Sequence, residues 1–256
     1  MVKVVTWNVN SINSRLDRVK AFLERESPDF LCLQELKCAD EKYPHEALTE
    51  LGYHSAIFGQ KAYNGVAIIS KKPVETLFRN FDPKDEASRM ITVRTPYGFD
   101  LINAYVPNGQ SVGSEKYAYK LAWLKQAKQF IQSHWKTSDK LVFVGDFNIA
   151  PDDRDVYDPV AWKEHIHCSA GERAALTDLL SVGFIDTHRM HDQSAGVFSW
   201  WDYRELSFAR NKGLRIDLIY ATPPAASLCR SVKVDRDERR GEKPSDHAPV
   251  IATFDF

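Results

Sequence analysis

Short runs of apolar, often β-branched residues alternate along this chain with stretches in which apolar residues recur every three or four positions. The first kind reads as buried strands and the second as helices with one face on a core. Residues 2–9 open with a strand pattern. A helix follows over 15–26, where Leu16, Val19, Phe22 and Leu23 share a face and Ser14 is a candidate N-cap. Residues 29–35 form an apolar strand that ends in a carboxylate, Glu35. Further strand patterns cover 53–59, 66–70, 91–95, 100–106, 141–146, 184–188, 198–201, 216–221 and 248–254. Long helices fit 114–135 and 171–181, with Gly183 just past the second. Pro96-Tyr97-Gly98 between two strands reads as a hairpin turn.

Strands such as Leu141-Val142-Phe143-Val144 are apolar on both faces, which suits sheets covered on both sides. Hairpins and direct strand connections break strict βα alternation. The pattern therefore predicts two packed sheets flanked by helices, an α/β sandwich, rather than a barrel. No Ser/Gly-rich linker divides the 256 residues, so a single domain spanning 1–256 is expected.

Composition changes this picture little. Hydrophobic residues make up 43% and charged residues 27%, a globular balance that excludes disorder. The formal net charge of −1 does not announce a nucleic-acid partner, so any such surface must be local or assisted by metal. Cys32, Cys38, Cys168 and Cys229 form no CxxC pair, which fits reduced thiols in the cytoplasm. The N-terminus is strand-like rather than an export signal, and no apolar run approaches the roughly 20 residues that cross a membrane. A cytoplasmic monomer without membrane contact is expected.

The chemistry gathers where strands end. Val4–Trp7 leads to Asn8 and Asn10, Phe30–Leu33 to Gln34-Glu35, and Leu141–Gly145 to Asp146 and Asn148. Asp217 sits inside the apolar run 214–220, and Asp246-His247 precedes the last strand. Strand ends are where ligands collect in α/β folds. A lone buried carboxylate is costly unless paired or metal-bound. Several of them, with amide oxygens and no thiolate, suit a hard ion such as Mg²⁺ or Mn²⁺.

The local words extend the argument. Thr6-Trp7-Asn8-Val9-Asn10, Leu33-Gln34-Glu35-Leu36-Lys37, Asn103-Ala104-Tyr105-Val106-Pro107-Asn108-Gly109, Gly145-Asp146-Phe147-Asn148-Ile149-Ala150, Leu214-Arg215-Ile216-Asp217 and Ser245-Asp246-His247-Ala248-Pro249 occur in this order. Together they resemble the exonuclease III and abasic-site endonuclease family over nearly the whole chain. Phe198–Arg204 and Lys243-Pro244-Ser245 resemble its bacterial exonuclease III branch. The resemblance implies a four-layered α/β sandwich, two packed mixed β-sheets flanked by helices, as in DNase I. It also implies Mg²⁺-dependent hydrolysis of DNA phosphodiesters, with Mn²⁺ able to substitute. The partner would be double-stranded DNA with damaged or recessed 3′ ends, or abasic sites, in the bacterial cytosol.

By the same resemblance, Glu35 is the main metal carboxylate, with Asn8 and Asp246 nearby and Asp146 and Asn148 contributing. Asp146 would orient the attacking water and Asn148 would hold it or stabilise the transition state. His247 would donate to the scissile phosphate, held by Asp217 through its other nitrogen. Tyr105 would act as a hydroxyl donor or a phenolate. Asn108 would bind a neighbouring phosphate, and Lys37 and Asn10 would support the metal region. Arg15, Lys116, Arg204, Arg210, Lys212 and Arg215 are candidate phosphate contacts, with a plain solvated face as the alternative. Trp200 is a candidate wall beside the reacting nucleotide, with Leu214 and Ile216, or an ordinary core residue.

One segment departs from the family. Residues 162–173 lack the expected Asn-rich lead into Ala-Gly-Phe-Thr before Glu172-Arg173. Read back without gaps, His167 falls where those relatives have glycine and His165 where they have asparagine. Alternatively, Trp162 and Cys168-Ser169 match the bacterial branch and two residues are missing. An imidazole at 167 would narrow the pocket for an extruded abasic sugar. A competing reading makes His165, His167 and Cys168 zinc ligands. Asn10 and Asn13 also replace residues that some relatives carry as Asp and Arg.

Two other functions compete. A phosphoesterase for small or lipid substrates can use the same fold. A non-catalytic DNA-binding protein should have lost at least one of Glu35, Asp146, Asn148, Asp217 or His247, and all are present.

Overall fold

The computed structural model describes residues 1–82 and 85–256. Among them, twelve strands form two six-stranded sheets. The first contains β1 (Val2–Asn8), β2 (Phe30–Gln34), β3 (His54–Phe58), β4 (Val66–Ser70), β11 (Cys229–Val234) and β12 (Val250–Phe254), in the order β11-β12-β1-β2-β4-β3. The second contains β5 (Glu75–Arg79), β6 (Met90–Arg94), β7 (Asp100–Tyr105), β8 (Leu141–Asp146), β9 (Ile185–Asp186) and β10 (Asp217–Ala221), in the order β5-β6-β7-β8-β10-β9. Each sheet holds one parallel pair, β1 with β2 and β7 with β8, and is otherwise antiparallel. A parallel pair needs a crossover, and helices supply it. Helix α1 (Leu16–Glu26) joins β1 to β2, and α3 (Glu115–His134) joins β7 to β8.

Side-chain alternation explains the layers. One face of each sheet points into a shared inner core with Val4, Phe30, Cys32, Ile68, Val142, Val144, Ile219 and Phe254. The opposite face of the first sheet meets Val19, Phe22 and Leu23 of α1. That of the second meets Trp123, Leu124, Ala127 and Ile131 of α3, and Leu176 and Leu179 of α4 (Ala170–Leu180). Burial on both faces is why these strands are apolar throughout rather than alternating. The four-layered sandwich expected from the sequence is the observed architecture.

A polar clamp crosses the dry interface between the sheets. Gln34 at the end of β2 donates to Asn103 of β7 (2.7 Å) and to Thr6 of β1 (2.9 Å). Asn103 donates back to the carbonyls of Leu33 (2.9 Å) and Ala67 (2.8 Å). These directional bonds fix how the sheets sit against each other, as apolar contacts alone do not, although the Gln34 Oε1 itself has no partner among the described residues.

Several boundaries differ from the sequence reading. Ser14 does not cap α1; Arg15 is the N-cap residue and makes no side-chain cap bond. Residues 184–188 give only the two-residue β9 before α5 (Thr187–His191) starts, because the Asp186 side chain caps it by accepting from the N–H groups of His188 and Arg189. Residues 198–201 form no strand; Trp200 instead bridges to Leu214 and His247. Strands β5 and β11 lay unread because their burial is partial and their patterns carry charges. The hairpin at Pro96-Tyr97-Gly98 joins β6 to β7 as expected.

The clamp is testable. Asn103→Ala strips three buried hydrogen bonds and takes a donor from the buried carbonyls of Leu33 and Ala67, at a cost of about 2–3 kcal/mol. Urea unfolding of the variant should show that loss in the midpoint with an unchanged slope. A loss below about 0.5 kcal/mol would mean the interface repacks without it.

Candidate active site

The strand directions bring the chemistry together. Two parallel pairs end at one edge of the sandwich, so the carboxyl ends of β1, β2, β7 and β8 deliver Asn8, Glu35, Tyr105 and Asp146 there. Strand β10 runs against β8 and starts with Asp217 paired opposite Asp146. Strand β12 runs against β1, so the segment entering it carries Asp246 and His247 to the same edge.

Asn8 bridges the sheets, donating its amide to Glu35 (2.9 Å) and to Asp146 (2.9 Å). Lys37 lies 2.9 Å from the other Glu35 oxygen. Burial works against ionisation of Glu35, but Asn8 and Lys37 hold its pKa below the usual carboxylate range. Asn10 accepts from Lys37 (2.6 Å) and donates to Asp246 (3.1 Å). Burial raises Asp246, and His247 together with the Trp200 and Asn10 hydrogen bonds brings it below the usual value.

His247 is held from one side. Its Nδ1 lies 2.9 Å from Asp217 and its Nε2 faces Asp146 at 3.8 Å. Burial lowers the imidazole, but the carboxylates of Asp217, Asp146 and Asp246 overcome this and raise it, so it is a cation at neutral pH. Asp146 is almost fully enclosed; burial raises it and His247 opposes the rise. The backbone under Asp217 is pinned by Ser199, whose hydroxyl accepts from the N–H groups of Ile216 and Asp217.

Asn148 follows Asp146 in a left-handed turn, with φ of 52°. Its N–H donates to Asp146 (2.9 Å), its side chain donates to the Val106 carbonyl (3.0 Å), and Asn108 donates to its oxygen (3.3 Å). Asn10, Glu35, Lys37 and His167 also have positive φ. Such conformations persist where surrounding contacts enforce them, and these five of the sixteen non-glycine residues with positive φ among the described residues belong to the site region. Gly145 cannot be replaced for a related reason: a Cβ would collide with the Ala104 carbonyl of β7.

Tyr105 lies at the same edge under Arg89, whose guanidinium sits 5.1 Å from the ring centroid. Burial, then Glu35 and Asp146, push its pKa well above the ordinary value. These neighbours favour the neutral hydroxyl of Tyr105 over the phenolate. Arg89 escaped the sequence analysis because a single arginine before a strand carries no signal.

Leu214 and Ile216 are buried in one cluster with Cys168, and Trp162 and Trp200 pack on it. His167 lies 6.3 Å from Trp200 by ring centroids, and its Nδ1 is 2.6 Å from the Asn148 carbonyl. Burial and then the charge of Lys120 lower its pKa to about 4, so it is neutral and donates from that nitrogen.

Other expectations fail. Arg215 is not a phosphate contact. It is 2% exposed and enclosed by Asp155 (2.6 Å) and Asp186 (2.8 Å). Its position next to Ile216 points it away from solvent, which no spacing rule revealed. Arg204 is exposed but engaged with Asp202 (2.7 Å). Lys116 is exposed in the first turn of α3, whereas Arg15 is turned inward onto the Asn10 carbonyl (2.6 Å). The zinc reading also fails: among the described residues, Glu35, Asp146 and His247 form the one group of three or more His, Cys, Asp or Glu side chains placed to hold a metal ion.

Those three offer ligand atoms all within 4.8 Å of one another. Glu35, Asp146, Asp217 and Asp246 gather around His247 and Lys37, and Asp217 is already matched to His247. The excess negative charge, the oxygen-rich donors and the absence of thiolate fit a hard divalent ion between Glu35 and Asp146.

Packed mixed sheets with this acidic edge are the architecture of the DNase I-like hydrolases. The profile of the endonuclease/exonuclease/phosphatase family matches residues 5–247, and the chain belongs to that family. It is 35% identical to exodeoxyribonuclease III of Haemophilus influenzae, over 99% of this chain and 100% of that protein. Among solved structures, a 3′ phosphatase from Neisseria bound to a product DNA hairpin aligns over the full length of both chains at 43% identity, with a TM-score of 0.95. An AP endonuclease from Archaeoglobus fulgidus does so at 37% identity and 0.94.

Arg215→Met leaves Asp155 buried with less positive charge around it and should cost about 3–5 kcal/mol of stability. Thermal unfolding would reveal this, and Arg204→Ala, on the exposed surface, should change stability by less than about 0.5 kcal/mol.

Proposed function

We propose that this chain is a divalent-metal-dependent DNA-repair phosphodiesterase that acts on 3′ ends, with Mg²⁺ as its metal and Mn²⁺ as a substitute. The convergence of Asn8, Glu35, Asp146, Asp217 and His247 from separate strands supports this reading most directly. A bound ion would supply positive charge to the phosphate and to the leaving oxygen. Everything else falls to the protein's own groups. Asp146 orients the attacking water, with Asn148 holding the opposite side. Asp217 fixes His247 so that its Nε2–H donates to a non-bridging phosphate oxygen, where negative charge builds in the transition state. Tyr105 donates its hydroxyl to the same phosphate, and Asn108 binds its neighbour. The enzyme works as a single-domain monomer in the cytoplasm, a location supported by its similarity to a bacterial exodeoxyribonuclease III.

Relatives named for AP endonuclease activity make internal abasic sites a second substrate. His167 weighs against it as the main activity. Its φ of 74° is one that glycine adopts freely, yet an imidazole stands there, buried beside Trp200. The ring takes space that an extruded sugar would need.

A gel assay would use four labelled duplexes carrying an internal abasic analogue, a 3′-phosphate, a 3′-phosphoglycolate and a recessed 3′-OH. The three 3′-end duplexes should be processed with Mg²⁺ or Mn²⁺ and left intact in EDTA, while the abasic duplex is cut poorly. Undiminished hydrolysis in chelator would sink the metal reading. Asp217→Asn should lower kcat by roughly 100-fold or more, since His247 loses both its orientation and its charge partner. His167→Gly should raise abasic-site incision by about tenfold, a pocket effect of 1–2 kcal/mol, and no gain would refute the blocking role.

A further inference from the structure

We propose that Lys120, through its buried pair with Glu172, is a positioning residue that sets Asn108, Asn148 and His167 in one geometry for the reaction. The proposal rests on the reading that this site hydrolyses DNA phosphodiesters.

Lys120 lies in the second turn of α3 with its side chain fully enclosed, and so is that of Glu172. The ammonium has three donors and three acceptors around it: the Asn108 carbonyl (3.0 Å), the Asn148 carbonyl (2.7 Å) and Glu172 (2.5 Å). Glu172 in turn accepts from the backbone N–H of His167 (3.0 Å) and from the N–H (3.2 Å) and hydroxyl (2.6 Å) of Ser169. Three loops thus meet on one ion pair. They are the turn after β7, the turn after β8 and the segment before α4.

The contacts are more than packing. Asn148 sits in a left-handed turn, and its carbonyl receives both Lys120 and the His167 ring. Fixing that carbonyl fixes the peptide plane and with it the direction of the Asn148 side chain. Gly109 presses the first loop onto the lysine stem; a Cβ there would lie 3.0 Å from Lys120 Cδ and 3.0 Å from Ile166. A buried ion pair costs desolvation and gives little stability over an apolar replacement, whereas its directional bonds hold geometry well. Placement of reacting groups within a fraction of an ångström is what sets rate. The same pair ties the His167 segment to Asn148, so substrate choice and turnover share one anchor.

The test is steady-state kinetics of the full chain carrying Lys120→Met with Glu172→Gln. This pair of changes removes both charges and leaves an amide oxygen to accept from the loop N–H groups. On the 3′-phosphate duplex, kcat should fall at least about tenfold while KM stays within about twofold. Abasic-site incision relative to 3′-phosphate removal should rise at least about threefold, because the His167 segment loses its anchor. That ratio separates positioning from mere damage, since a smaller folded fraction scales both substrates equally. Should the double variant fail to fold, Glu172→Gln alone is measured in the same way and should move kcat and the ratio in the same directions. A kcat within about twofold of the parent, or a ratio that does not rise, overturns the role of Lys120. A parent protein inactive on every DNA substrate would instead sink the functional reading, so the two failures are distinguishable.

Discussion

The site exists because Asn8 can reach two carboxylates that belong to different sheets. Its amide spans Glu35 and Asp146 at 2.9 Å each, across the seam where the sheets meet. That reach is possible only if the seam keeps a fixed register. The Gln34–Asn103 clamp one step behind supplies the register, and the apolar inner layer supplies the adhesion. Directional polar bonds specify the position while non-directional burial drives the association.

Buried charge is handled in two ways in this protein. Around Arg215 every charge has a close opposite partner, and Asp155 also meets Arg189. That network is closed and has no capacity left for a ligand. At the strand tips the balance is deliberately incomplete, because four carboxylates face fewer cations. An unbalanced buried cluster costs stability and therefore attracts positive charge. Both networks lie along the start of β10, so Arg215 and Asp217, two positions apart, serve opposite ends. One steadies the strand and the other faces the reaction.

Around the seam, the left-handed residues have a common origin. Glu35 follows β2 directly and Asn148 lies two residues past β8, where each strand stops running straight and the chain turns at the site. The turn is sharp, and neighbouring groups hold it: Lys37 and Asn8 at Glu35, and Lys120, Asp146 and His167 at Asn148. The turn at Asn148 is thus held in part by helix α3 and the segment before α4, through Lys120 and His167 on its carbonyl.

Much of this was written in the sequence. Doubly apolar strands ending in Asn8, Glu35 and Asp146 announced both the layered sheets and the acidic edge, because period and burial are local properties of the chain. The ordered motifs pointed to residues that the fold gathers at one edge for the same reason: most are strand tips with their own turns. What lay beyond the sequence was pairing at a distance. Arg215 looked like a surface cation until Asp155 and Asp186 were found around it. Lys120 and Glu172 stand 52 positions apart, and no local spacing links them. Arg89 gave no sign of the Tyr105 ring beneath it. A side chain's spacing tells which face it takes, but its partner is chosen by how layers stack, and that choice is made only when the whole chain is packed.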